Sequence, residues 1–266
     1  METVKHRQTP GEGPARGDRN RNRSLERGID ILRAFKPGAD LLGNGELAER
    51  TGLARATVSR LAQTLVESGM LEHDRRQRAY RLAAPVLSLA HAMRSGSPIL
   101  QIAGPLMRSE AEKRKINVGL AVADRGEMVY LESVRYSRRV SWRNVVAGQR
   151  VPMELTSLGR AWLSAAGEEE RRSLMDQFRE RRRSGWRDLA REITSAIDSV
   201  RQQGYCWASW QPQVVALATP VVVVDRPVYV LNMSITGDVE ALEVVARLRE
   251  PLLALADRLR TSIDSL

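Results

Sequence analysis

Apolar residues return every three to four positions along 45–71, break at Thr51-Gly52-Leu53, and resume through Val58, Leu61, Ala62, Leu65 and Val66. That i, i+3, i+4, i+7, i+8 stripe marks a helix with one buried face. Leu47 and Ala48 give a shorter preceding helix its inward edge. Gly52 supplies the positive φ at which a helix ends, and Leu53 fills the corner. The pattern predicts two helices joined by a tight turn. At about 100° per residue, Ala56, Ser59, Arg60 and Gln63 fall on the outer side of the second helix. Ser, Arg and Gln side chains can all bond base edges in a DNA groove. Arg55, Ala56 and Thr57 open this helix, and Arg55 is placed to reach either a guanine edge or a phosphate.

The next stretch alternates rather than spiralling. Leu71-Glu72-His73 and Ala79-Tyr80-Arg81-Leu82 predict two short strands around Asp74-Arg75-Arg76-Gln77-Arg78. The tip arginines Arg75, Arg76 and Arg78 have the composition of a wing lying along phosphates, where charge gives affinity without sequence information. Upstream, Ser24 is the expected cap of a helix carrying Leu25, Ile29, Leu32 and Phe35. Three helices and a basic hairpin in this order predict a winged helix-turn-helix over 23–83.

Pro85 opens a further helix with Val86, Leu87, Leu89, Ala90 and Met93, closed by Ser95-Gly96-Ser97-Pro98. It reads as a linker over 84–97 whose apolar positions suit pairing with a second subunit. From 98 the pattern mixes helix and strand. Helices are predicted over 98–114, 157–166, 168–181, 188–203 and 238–263. Strands are predicted at 118–123 and 128–133 around Asp124-Arg125-Gly126, near 138–146, and at 214–224 and 228–235. Antiparallel hairpins with outer helices make 98–266 an α+β domain able to hold a small ligand. Residues 1–22, rich in Gly, Pro and Arg, are expected to be a disordered basic arm. Its Arg16, Arg19 and Arg21, with Arg23, suit a minor groove or a floppy terminus.

Composition narrows the chemistry. Six of the ten net positive charges fall within residues 1–95, the footprint of a nucleic-acid binder. No apolar run reaches the ~18–20 residues that span a bilayer, and no apolar signal core opens the chain, so no membrane partner is expected. Cys206 stands alone, which excludes an intramolecular disulfide and fits a cytoplasmic protein. The histidines are His6, His73 and His91. Residues 98–266 therefore contain no Ser-His or Cys-His pair and no His-based metal site. Phosphate-binding loops and nucleophile elbows are also missing. We expect no catalytic residue, no metal and no cofactor. Glu168-Glu169-Glu170 at a helix start serve the helix dipole.

Three features bear on binding. Thr156-Ser157 before Leu158-Gly159-Arg160 put free N–H groups and a hydroxyl at a helix start, an arrangement that accepts a carboxylate or phosphate or serves as a plain cap. Asn232 and Ser234 alternate with Leu231, Met233 and Ile235, so both share one strand face, toward a cavity or toward water. Trp207 and Trp210 are expected to be buried packing, with an aromatic-accepting pocket as the alternative. Arg181-Arg182-Arg183 reads as a solvated helix end.

Taken together, the chain resembles the IclR family of bacterial transcription regulators from about residue 24 to 263. Ser24-Leu25-Glu26-Arg27-Gly28-Ile29-Asp30-Ile31-Leu32 is similar to that family's opening helix. LAERTGLARATVSRLAQTLVESGML, with Tyr80-Arg81-Leu82 after it, resembles its helix-turn-helix and wing. Leu155-Thr156-Ser157-Leu158-Gly159-Arg160-Ala161 is similar to its A-x-A-L-G-K-A segment, and Val215 to Val221 to its R-C-V-A-A-P-V strand.

The resemblance implies a winged domain joined to a GAF-like α+β effector-binding domain, in a homodimer or dimer of dimers. It also implies a pseudo-palindromic double-stranded DNA operator and a small-molecule effector, commonly an organic or aromatic acid. Carried over by position, the effector site comprises Thr156, Ser157, Gly159, Ala216, Asn232 and Ser234. The departures lie close to it: Ala216 replaces a common Cys, and Glu154 a common His. Ala208-Ser209-Trp210-Gln211-Pro212 stands where an acidic stretch is usual, and Arg78 replaces the wing glycine. The alternative is a DNA-binding protein whose C-terminal domain only oligomerises.

Overall fold

A computed structural model describes residues 22–136 and 146–265, which divide into two compact units between residues 87 and 88. The first unit runs α1 (Arg23–Arg33), β1 (Leu42–Gly43), α2 (Asn44–Thr51), α3 (Arg55–Glu67), β2 (Leu71–Asp74) and β3 (Ala79–Leu82). Its helices close over Ile31, Leu47, Val58, Leu61 and Ala62, and its strands form a small antiparallel sheet in the order β1-β3-β2. As the glycine predicts, α2 ends at Gly52 in the left-handed region, with φ 70°.

Helix α1 departs from expectation in two ways. Its cap is Asn22, not Ser24: the Asn22 Oδ1 accepts from the Ser24 and Leu25 N–H groups at 3.2 Å each. Its inward edge is Ile31 and Ala34, while Leu25 and Ile29 are exposed. One position along a helix is a rotation of about 100°. The edge containing Ile31 is the one that meets α2 and α3, so the Leu25–Ile29 edge is turned outward.

Helix α4 (Pro85–Ser95) follows and buries none of its residues; Leu87, Leu89 and Met93 are exposed along it. The second unit continues with α5 (Pro98–Arg114), β4 (Asn117–Asp124), β5 (Glu127–Val134), β6 (Arg150–Pro152), α6 (Ser157–Ala165), α7 (Glu168–Arg181) and α8 (Trp186–Gln203). It ends with β7 (Cys206–Gln211), β8 (Val214–Val221), β9 (Tyr229–Thr236) and α9 (Ala241–Asp264). The strands make one antiparallel sheet in the order β6-β5-β4-β9-β8-β7. Side-chain alternation gives it two buried faces. Val118, Leu120, Leu217, Leu231 and Met233 pack with α5 and α9. Ala121, Ala218, Val230 and Cys206 pack with α6 and α8. Between β4 and β5, Arg125 and Gly126 both take positive φ (51° and 74°), as a two-residue type I′ turn requires.

Strands β6 and β7 have no counterpart in the sequence reading. Because β7 lies at the sheet edge, Trp207 and Trp210 are 39% and 36% exposed, which corrects the expectation that they are buried packing. The arm before Asn22 and nearly all of the strand expected near 138–146 lie outside the described residues. Among the described residues no helix is long and apolar enough to cross a membrane, and no cluster of His, Cys, Asp or Glu could hold a metal ion.

Candidate nucleic-acid interface and ligand site

Helix α3 buries Val58, Leu61 and Ala62, and this fixes which side chains it offers outward. Arg55, Ala56, Ser59, Arg60 and Gln63 are exposed, and Thr57 is half-buried. Gln63 donates to the Glu67 carboxylate one turn on at 3.1 Å, which holds its amide along the helix. Arg60 makes no ion pair among the described residues. The Arg55 guanidinium lies beside Gly45 in the first turn of α2, with Nη2 3.7 Å from where a Cβ on that glycine would stand.

The wing is pinned at its base and free at its tip. The Asp74 carboxylate accepts from the Arg76 and Gln77 N–H groups at 2.9 and 3.0 Å and pairs with Arg81 at 2.6 Å. The Gln77 N–H above all, with Arg76 and the Arg81 guanidinium, holds the Asp74 carboxyl below the usual carboxylate range. His73 and Tyr80 face each other across the strands with ring centroids 4.9 Å apart. The turn closes without glycine, because Arg78 itself takes the left-handed conformation with φ 52°. Arg75, Arg76 and Arg78 are exposed and carry no ion pair among the described residues.

In the second unit the expected residues converge on the sheet face that packs against α6 and α8. Register places Gly119, Asn232, Ala218 and Cys206 in one row across β4, β9, β8 and β7. Asn117, Ser234, Ala216 and Ala208 form the next row on the same face. Asn232 and Ser234 are buried, so they point away from water. Gly119 opens the floor: a Cβ there would sit 2.4 Å from the Asn232 Oδ1 and 2.5 Å from the Tyr130 ring. Sequence reasoning missed Tyr130, whose hydroxyl is pushed up to about 12 by burial and opposed by the Asn232 side chain beside it. The Asn232 Oδ1 is buried with no hydrogen-bond partner among the described residues.

The start of α6 frames the same layer. Thr156 caps it, accepting from the Gly159 N–H at 3.3 Å and donating to the Pro152 carbonyl at 2.9 Å. Gly159 is required by packing, since a Cβ would lie 2.1 Å from the Met153 carbonyl oxygen. The carbonyl of buried Ser157 accepts from the Cys206 Sγ at 3.4 Å. Burial pushes the Cys206 thiol up to about 12 against the pull of Arg160, so it is not a thiolate nucleophile.

Behind α6, Arg160 donates to the Glu154 carbonyl at 3.2 Å and pairs with Glu192 at 2.7 Å. Glu154 is fully buried and pairs through Oε1 with Arg182 at 3.0 Å. Arg182 therefore anchors the α7 end to the α6 layer rather than ending a solvated run.

Comparison with known proteins fits these two sites. Residues 24–75 match the family model described as the IclR helix-turn-helix domain. Residues 91–261 match the bacterial transcriptional regulator IclR C-terminal model. The HTH-type transcriptional regulator TsaQ1/TsaQ2 of Comamonas testosteroni is 33% identical over 183 residues, 68% of this chain and 66% of that one. The p-hydroxybenzoate hydroxylase transcriptional activator of Acinetobacter baylyi is 26% identical over 206 residues, 74% of each chain.

Among solved structures, an IclR family transcriptional regulator from Brucella abortus superposes with TM-score 0.85 at 32% identity, over 95% of this chain and 96% of that one. An IclR homolog from Microbacterium hydrocarbonoxydans, complexed with 4-hydroxybenzoate, shares the fold with TM-score 0.64 at 22% identity, over 90% and 99% of the two chains. With both units matched in order, this chain belongs to the IclR family of DNA-binding transcription regulators.

Proposed function

We propose that this regulator reads a pseudo-palindromic operator through α3 and the wing and senses a small organic or aromatic acid in its second unit. On the DNA side, Ser59, Arg60 and Gln63 meet base edges, with Ala56 and Thr57 against the groove wall. Arg55, Arg75, Arg76 and Arg78 meet phosphates. The exposed apolar residues of α4 support a homodimer, the symmetry that a two-fold operator mirrors. Such a protein acts in the cytoplasm and needs no catalytic group.

The observation that carries the effector reading is the buried, unpartnered Oδ1 of Asn232. An acceptor left without a donor costs about 1–3 kcal/mol, so a ligand that donates to it recovers that cost. Small residues around it, Gly119, Ala216 and Ala218, leave the sheet floor low. The free N–H groups of Ser157 and Leu158 at the start of α6 suit a carboxylate. Cys206, beside Ser157, lies two strands from Asn232, on the order of 10 Å. A hydroxylated carboxylic acid has a donor for one end and an anion for the other. The name of the Acinetobacter relative and the ligand of the Microbacterium homolog belong to the same chemistry.

The test is thermal unfolding with a panel of small acids that includes 4-hydroxybenzoate, on the wild type and on Asn232→Leu. A true effector at about 100 Kd should raise the wild-type stability by roughly 2.7 kcal/mol. The variant should be at least as stable without ligand and should not respond. A response of equal size in both removes Asn232 from the site. Silence from every acid in the panel favours a second unit that serves assembly only.

A further inference from the structure

The six-stranded sheet has two edges, and they are built differently. Strand β6 is three residues long, starts at Arg150 and ends at Pro152. Arg150 is fixed by Asp124 at 2.6 Å and Glu127 at 2.7 Å. Short length, a fixed charge and a proline all discourage an edge from pairing with another chain. Strand β7 has none of these devices. It is six residues long, CWASWQ, without a charge or a proline, and bonds to β8 on one side only. Its one irregularity is a register shift between Ala208 and Gln211. Ser209 is exposed, and Trp207 and Trp210 stand more than one-third exposed on a strand whose outer N–H and C=O groups have no strand neighbour. Beside it a groove of about 590 Å³ runs along α8, lined by Arg160, Glu192, Ser195, Ser199 and Trp207.

We propose that β7 is an interface between two copies of this chain, which pair edge to edge and antiparallel so that their sheets join. An open strand edge is completed by another strand, and a copy related by a two-fold axis supplies one from the same sequence. Charge identifies the copy. Each chain carries a net +10, so two copies repel over much of their surface. The uncharged β7 strip is where they approach without that penalty. Pairing removes two half-exposed indoles from water. The groove along α8 receives the partner side chains that point to that side. The surface is separate from the apolar residues of α4, and the inference rests on neither the operator nor the effector reading.

Sedimentation equilibrium on the full chain tests it, comparing the wild type with Trp207→Lys/Trp210→Lys. The expected result is a variant with half the wild-type mass at concentrations where the wild type stays assembled. Its circular dichroism should be unchanged, because both side chains are at the surface. Hydrogen exchange on the wild type gives an independent measure. The β7 amides that point away from β8 should be protected in the assembled protein and should exchange quickly once dilution lowers the mass. Equal masses for the two proteins overturn the proposal, and so does fast exchange of those amides in assembled wild type. If the variant fails to fold, the exchange measurement decides alone. Protection that appears only when a foreign strand-forming peptide is added assigns the edge to another partner and also overturns self-pairing.

Discussion

The two units place their chemistry on opposite sides of their own surfaces. In the first, Arg60, Arg75, Arg76 and Arg78 stand in water without an ion pair among the described residues, and the core beneath them is wholly apolar. In the second, Thr156, Ser157, Glu154, Arg160, Asn232 and Ser234 are buried, and most of their polar atoms are satisfied within the fold. A surface that waits for phosphate costs the fold almost nothing. A buried site is part of the packing, so changing it changes stability as well as recognition. Function and stability should therefore separate cleanly in the first unit and stay coupled in the second.

The largest expected effect comes from one added methyl inside. In Gly159→Ala the new Cβ would have to stand 2.1 Å from the Met153 carbonyl oxygen and 2.3 Å from its Cα. The opposing atoms are backbone, so the start of α6 has to move. Overpacking of this kind costs roughly 3 kcal/mol. Calorimetry should show the second unit melting several degrees lower. A variant that melts like the wild type would show that the α6 start is loose, and would remove Gly159 as a determinant of the site.

Removing a whole arginine outside should do the reverse. Arg60→Ala should leave the melting temperature within about 0.5 kcal/mol of the wild type. It should also lose about 1–3 kcal/mol of discrimination between operator and unrelated DNA. Footprinting against competitor DNA measures the second quantity. Undiminished selectivity would take Arg60 out of base readout, and a large loss of stability would break the contrast between the units.

A smaller effect sharpens the picture of the wing. Arg78 occupies a left-handed position where a side chain costs about 1–2 kcal/mol, of which the freedom glycine gains in the unfolded chain takes back a part. Arg78→Gly should therefore raise stability by under about 1 kcal/mol. It should also weaken binding to all DNA sequences and lower the salt slope by about one contact. An unchanged slope would mean that Arg78 touches no phosphate.

These contrasts also explain what could be read in the sequence. Helices α2 and α3, the Gly52 turn and the basic hairpin were legible because amphipathic period and turn chemistry are local. The outward set on α3 followed from the same period. Helix α1 was placed one residue out of phase, because Leu25 and Ile31 are equally apolar and only α2 and α3 select between them. Strands β6 and β7 escaped because a three-residue strand has no period and CWASWQ mixes small, polar and aromatic residues. Of the ligand site, Asn232 and Ser234 were legible as a shared face. Tyr130 was not, since its approach to Asn232 over Gly119 depends on the register of β4 between β5 and β9. The reach of Arg182 to Glu154 likewise spans 28 residues and leaves no local signal.

The smallest effect tests whether the exposed region carries any built-in order at all. Asp74 is the one wing carboxyl held below its usual range, chiefly by the Gln77 N–H, with Arg76 and Arg81 adding to it. A carboxyl whose folded pKa is depressed contributes stability that is complete above the unfolded value of about 3.9. That contribution disappears as pH falls through the lower, folded value. The wing should thus stay ordered through mildly acidic solution and loosen only below about pH 4, with the Arg76 and Gln77 amide resonances moving together. Asp74→Asn keeps an acceptor but carries no charge, so it should remove the titration while leaving most of the turn. Because the pair with Arg81 lies at the surface, the gain is small and salt weakens it further. Amides that titrate with an ordinary carboxyl midpoint would show a tip that is not preformed. The exposed site would then acquire its shape only on DNA, and the contrast with the prepacked second unit would be sharper than the folded chain alone displays.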